Sequence, residues 1–143
     1  MYIVVDAPPG ALDALHTSAA AIGDVLKVVA GNKGIAHLVV VVRILPCTRW
    51  RAVCHAEDGL IDMRFATGMP YPCTAMDIYG WKWTFPDFAS HLAVVASHEL
   101  YHYRAHHFPQ DVPGYDPRDE TAGNVYALAH AQQCGFQVQA QRP

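Results

Sequence analysis

Residues 90–107, SHLAVVASHELYHYRAHH, contain neither proline nor glycine and space Leu92, Val95, Ala96 and Tyr103 near helical intervals, which predicts a helix with a buried face. Such a helix has to be covered, so the remaining chain must supply a surface for it. Within it stands His98-Glu99-Leu100-Tyr101-His102, an H-E-x-x-H pentad. Residues four apart on an α-helix are offset by about 40° and rise about 6 Å, so both imidazoles project together and can share one Zn²⁺. Glu99 falls on the flank of that stripe, where its carboxylate reaches a water on the metal rather than the metal and takes its proton as general base. A chain with 9 His and 3 Glu in 143 residues would produce the pentad by accident in roughly one case in a hundred.

The length suits one ordinary domain, residues 1–143, with enough chain to bury a core. At 52% hydrophobic and 16% charged residues, with a net charge of −3 and no long charge runs, neither a disordered chain nor a nucleic-acid surface is indicated. The opening MYIVVDAPP is too short and too soon broken by proline for a signal peptide, which predicts a cytoplasmic protein. The apolar run 35–45 contains His37 and Arg43 and is far shorter than the roughly 20 residues of a membrane span, so no membrane partner is expected. Cysteines 47, 54, 73 and 134 form no C-x-x-C pair and read as buried free thiols.

Along the chain, residues 11–30 predict a first helix, with Leu12, Leu15, Ile22, Val25, Leu26 and Val29 near one face and Gly31, Asn32 and Gly34 as stop signals. Residues 35–45, 49–56 and 60–66 read as strands, the last two joined across Asp58-Gly59 by a tight hairpin turn, giving a small, mostly antiparallel sheet. Residues 68–88 predict a structured aromatic loop with a short strand near 78–84, its aromatics either packing or lining a pocket. Pro86, Asp87 and Ser90 offer start chemistry for the motif helix. A last helix is expected to open at Asp116-Pro117 and to end near Cys134-Gly135.

A catalytic zinc takes three protein ligands and keeps a position for water, so a third donor is required. His106 lies about 12 Å along the helix from His98 and is rejected. The metzincin pattern fails, since Tyr103, Arg104 and Ala105 follow the pentad without glycine and Phe108 stands where its third His would. Glu120, in the first turn of the last helix, is the best remaining donor, with Asp119 and Asp116 as fallbacks. Asn124, one turn later, is placed to accept the N–H of a ligand histidine. The other histidines, at 16, 37, 55, 91, 106, 107 and 130, read as solvated or packed, with slight suspicion of His91 for its near alignment with His98.

His98, Glu99, His102 and Glu120 together resemble the gluzincin type of zinc metallopeptidase. The segment Glu120-Thr-Ala-Gly-Asn124-Val-Tyr126-Ala127 is similar to the E-x-x-A-N-x-F-A motif of ImmA/IrrE-like peptidases, with Gly123 where that pattern has Ala. The apolar L-L-M-P run that commonly follows that motif is missing, the chain reading Leu128-Ala-His-Ala. The resemblance implies an α+β, zincin-like minimal core in a single metallopeptidase domain that hydrolyses peptide bonds. It implies Zn²⁺ on His98, His102 and Glu120, Glu99 as base, Tyr115, Tyr126 or His130 as an oxyanion donor, and a peptide or protein substrate. A free edge at residues 60–66 would align that substrate by strand addition. The competing expectations are a non-enzymatic, metal-stabilised interaction domain and an α+β interaction protein without metal. Glu99 favours the enzyme, because a purely structural site has no use for a base beside its ligands.

Overall fold

The computed structural model describes residues 1–46 and 49–143; Cys47 lies outside the described residues. It is α+β, with four α-helices and two small sheets among the described residues. The first half of the chain runs through β1 (Tyr2–Asp6), α1 (Ala11–Ala14), α2 (Ala19–Ala30), β2 (Val39–Leu45), β3 (Arg51–His55) and β4 (Leu60–Ala66). These strands form one sheet in the order β1-β2-β4-β3. Both β1–β2 and β2–β4 are parallel, and only β3–β4 is antiparallel, which corrects the expected mostly antiparallel sheet. The helical crossover α1–α2 returns β2 in the direction of β1, and β3 fills the long connection from β2 to β4. Alternation of side chains reports that a strand has a buried face but not which way its neighbour runs.

Local chemistry explains most of the differences in element boundaries. The expected helix over 11–30 is divided at His16, whose φ of 53° interrupts the ladder, and Ser18 then caps α2 by accepting from Ala21 N at 3.1 Å. The β3–β4 connection is longer than a two-residue turn: one 3₁₀ turn over Ala56–Asp58 precedes Gly59 at φ 63°, ψ 37°, a left-handed conformation that glycine adopts freely. The second sheet, antiparallel in the order β5-β6-β7, joins β5 (Cys73–Met76) and β6 (Lys82–Phe85) to the late strand β7 (Gln139–Gln141).

The motif helix α3 (Phe88–His107) is capped by Asp87, which accepts from Ser90 N at 2.8 Å. The last helix α4 (Glu120–Gln133) starts later than Asp116-Pro117 suggests. Asp119 is its cap, accepting from Ala122 N at 3.0 Å, while Asp116 accepts the backbone N–H and the guanidinium of Arg118 in a local turn.

Helix α3 is the centre of the molecule. Ser90 and every residue from His91 to Leu100 are buried, with α2, α4, β3, β4 and β6 packed around them. It is therefore covered on all sides rather than on one stripe. Trp81, Trp83 and Phe85 are core residues, so most of the aromatic loop packs. Cys54, Cys73 and Cys134 are free thiols, but only half-buried. Among the described residues no helix is long and apolar enough to cross a membrane.

His91 shows what this core does to a titratable group. Its ring is fully buried, stacks on Phe85 at 4.1 Å, meets Trp50 and Phe65 edge-on at 4.6 and 5.1 Å, and hydrogen-bonds the Tyr71 hydroxyl at 2.7 Å. Burial drives its pKa down to about 3. The folded ring stays neutral while the unfolded one protonates below about 6.5, so this contribution to stability is complete above pH 6.5 and is lost as pH falls toward 3. Urea unfolding at pH 7 and pH 5 is expected to show the wild type losing about 2 kcal/mol more than His91→Phe. Equal losses in both proteins would mean that the folded ring can take up a proton.

Candidate metal centre

One turn apart on α3, His98 and His102 aim their Nε2 atoms at the first turn of α4, where Glu120 meets them. His98 Nε2 lies 2.7 Å from Glu120 Oε2 and 3.1 Å from His102 Nε2, and His102 Nε2 lies 3.3 Å from the same carboxylate oxygen. Donors about 2.0–2.1 Å from a tetrahedral zinc are about 3.3 Å apart, so the three atoms surround a point of nearly that size. Among the described residues this is the one group of three His, Cys, Asp or Glu side chains able to hold a metal ion. Asp119 and Asp116 remain with their helix cap and local turn.

Both rings are held from behind. Nδ1 of His98 lies 2.8 Å from Oδ1 of the buried Asn124, and Nδ1 of His102 lies 2.5 Å from the Tyr115 hydroxyl. An N–H on the far nitrogen keeps the lone pair on Nε2, the arrangement a ligand histidine needs. Burial is the largest cause lowering the His102 pKa, followed by His98. Tyr115 therefore lies where the sequence suggested, but its hydroxyl serves a ring. Tyr126 accepts from Arg104 at 3.0 Å, and His130 donates to the Val29 carbonyl at 2.7 Å. Neither is among the residues lining the cleft described next.

His102 and Glu120 line a cleft of about 730 Å³ walled also by β3, Tyr79, Tyr115 and Glu99, while the buried His98 does not line it. Glu99 is only 8% exposed, and burial pushes its carboxyl up to about 7; Glu120 adds to the rise, while His98 and the backbone N–H of Cys54 oppose it. A divalent cation at the triad would pull that value down again. The Tyr79 ring lies parallel to His98, 2° between planes and 6.4 Å between centroids. Its hydroxyl is raised to about 12 by burial first and then by Glu120, so it keeps its proton at neutral pH. The Cys54 thiol, raised to about 12 by burial and by Glu99, also stays protonated.

Two features were not found from the residues alone. Tyr79 and Asp77 belong to the aromatic loop, and Asp77-Ile-Tyr-Gly80 was a turn signature that could have located them. The edges of the first sheet are β1 and β3, of which β3 borders the cleft; β4, expected as the free edge, is flanked by β2 and β3. No family model, curated protein or solved structure matches the chain.

Gly123 explains how His98 comes so close to α4. A Cβ built there would stand 2.8 Å from Cε1 and 3.0 Å from Nε2 of the His98 ring. Alanine favours a helix over glycine by about 1 kcal/mol, so Gly123→Ala leaves α4 formed while pushing the ring away. Competition with a chromophoric chelator is expected to show zinc affinity falling by about tenfold or more in this variant. Unchanged affinity would mean that the ring relaxes at no cost.

Proposed function

We propose that this protein is a zinc-dependent metallopeptidase with a minimal zincin-like core, cleaving a peptide or protein substrate. One observation carries the reading: donor atoms of His98, His102 and Glu120, contributed by two helices, converge at zinc-like spacing beside an open cleft that His102, Glu120 and Glu99 line. Zinc bound there would acidify a water molecule and polarise the scissile carbonyl. Glu99 takes the proton of the attacking water and returns it to the leaving amine, a role suited to a buried carboxyl with one face on the cleft.

Tyr79 replaces Tyr126 and His130 as the candidate donor to the developing oxyanion, because it lines the cleft and they do not; its protonated hydroxyl hydrogen-bonds Glu120 and would turn from that carboxylate to the oxyanion. Tyr115 steadies His102. The strand-addition role moves from β4 to β3, whose Ala52, Val53, Cys54 and His55 run along the cleft at the edge of the sheet and can align an extended chain. A purely structural zinc site would be closed by a fourth protein ligand and would have no use for Glu99.

Elemental analysis after dialysis against metal-free buffer is expected to find one zinc per chain in the wild type and little or none in His102→Ala and Glu120→Ala. Glu99→Gln is expected to keep its zinc while peptide hydrolysis falls by about 10²–10⁴-fold. Zinc uptake with equal hydrolysis in Glu99→Gln would remove the base from the mechanism. No uptake by the wild type, and no thermal shift on adding zinc, would leave the interaction-domain reading in front.

A further inference from the structure

Asp77 does not line the cleft, yet both of its carboxylate oxygens are fully engaged. Oδ1 accepts the backbone N–H groups of Tyr79 at 2.9 Å and Trp81 at 3.0 Å. Oδ2 accepts the indole N–H of Trp83 at 2.9 Å and the side-chain N–H of Asn124 at 2.9 Å. An ionised carboxylate can only accept, so Asn124 must turn its NH₂ group toward Asp77. Its carbonyl oxygen is then what faces Nδ1 of His98 at 2.8 Å. That oxygen also only accepts. Nδ1 must carry a proton, which in the neutral ring leaves the lone pair on Nε2; the Glu120 carboxylate 2.7 Å away cannot donate to it, so that lone pair finds a partner only when a cation lies between the two.

We propose that Asp77 is a positioning residue that acts through Asn124 to fix the tautomer in which His98 presents Nε2 to a metal. The inference rests on the metal-site reading above. His102 has no equivalent relay, because the Tyr115 hydroxyl that meets it can donate or accept and so dictates nothing. A role for Asp77 in shape alone would require only that position 77 be filled. The relay requires the direction of each hydrogen bond, and the two can be separated.

The test uses the full chain, with zinc affinity measured by chelator competition and histidine ring shifts measured by NMR on the zinc-loaded protein. In the wild type, His98 is expected to coordinate through Nε2 with Nδ1 protonated. Asp77→Asn sets an amide against the amide of Asn124, freeing the latter to flip, and zinc affinity is expected to fall about 10–100-fold. The exchange Asp77→Asn with Asn124→Asp restores the order of donor and acceptor along the relay to His98, while the Trp83 N–H loses its acceptor in Asp77→Asn and in the exchange alike, so that loss cancels between them. It is expected to bind zinc more tightly than the two single substitutions predict when added together and to keep His98 coordinated through Nε2, a ring readout that relief of the repulsion between Asp77 and the new carboxylate of Asn124→Asp does not by itself supply. Strict additivity, wild-type affinity in Asp77→Asn, or coordination of His98 through Nδ1 would each overturn the inference. The last readout is made on the wild type and does not depend on any variant folding. A wild type that binds no zinc overturns instead the reading beneath it.

Discussion

The docking of α4 against α3 at His98 is the contact on which the candidate site depends. Helix α3 carries His91, Ser97, His98 and Glu99 into the interior, and buried polar groups without partners cost roughly 1–3 kcal/mol or more each. For His98 both neighbours come from α4: Asn124 Oδ1 meets Nδ1, and Glu120 Oε2 stands 2.7 Å from Nε2, where a proton or a shared cation joins the two. Gly123 lies between them in sequence and provides the room that lets the ring reach both. For Glu99 a partner comes from β3, through the backbone N–H of Cys54. His98 and Glu99 thus meet their polar neighbours only when the elements that complete the cleft are in place, whereas Ser97 Oγ and His91 Nε2 are buried without a hydrogen-bond partner among the described residues.

The same helix shows how surroundings divide one residue type into two roles. His91 and His98 are two turns apart, both buried and both on α3. Aromatic rings enclose His91 and burial drives its pKa far below the usual imidazole range. Polar groups flank His98 instead, Asn124 at Nδ1 and Glu120 at Nε2. The first is a neutral core residue enclosed by rings, and the second meets a polar group at each ring nitrogen.

The smaller sheet has a positional purpose. Its β5–β6 connection holds Asp77, which gathers the N–H groups of Tyr79, Trp81, Trp83 and Asn124 and so joins the aromatic core, one wall of the cleft and α4 through a single carboxylate. On the other side of the molecule, Arg104 and His130 donate to the carbonyls of Ala30 and Val29 at the end of α2. Charged and polar side chains at both ends thus hold α4 and α3 in register with elements distant in sequence.

What the sequence by itself determined is the chemistry carried by local spacing. The i, i+4 histidines, the flanking Glu99, the Asp87 cap, and the one-turn interval between Glu120 and Asn124 all follow from helical geometry over a few residues. Those residues could be grouped before the fold was known, and the fold brings them together. Only the tertiary structure decided the parallel pairing of β2 with β1 and β4, the place of β3 at an edge, the absence of Tyr126 and His130 from the cleft lining, the presence of Tyr79 there, and the contact of Asp77 with Asn124. The physical reason is separation along the chain. Asp77 and Asn124 are 47 residues apart, and their hydrogen bond exists because two sheets and two helices pack around α3, a condition no local pattern encodes.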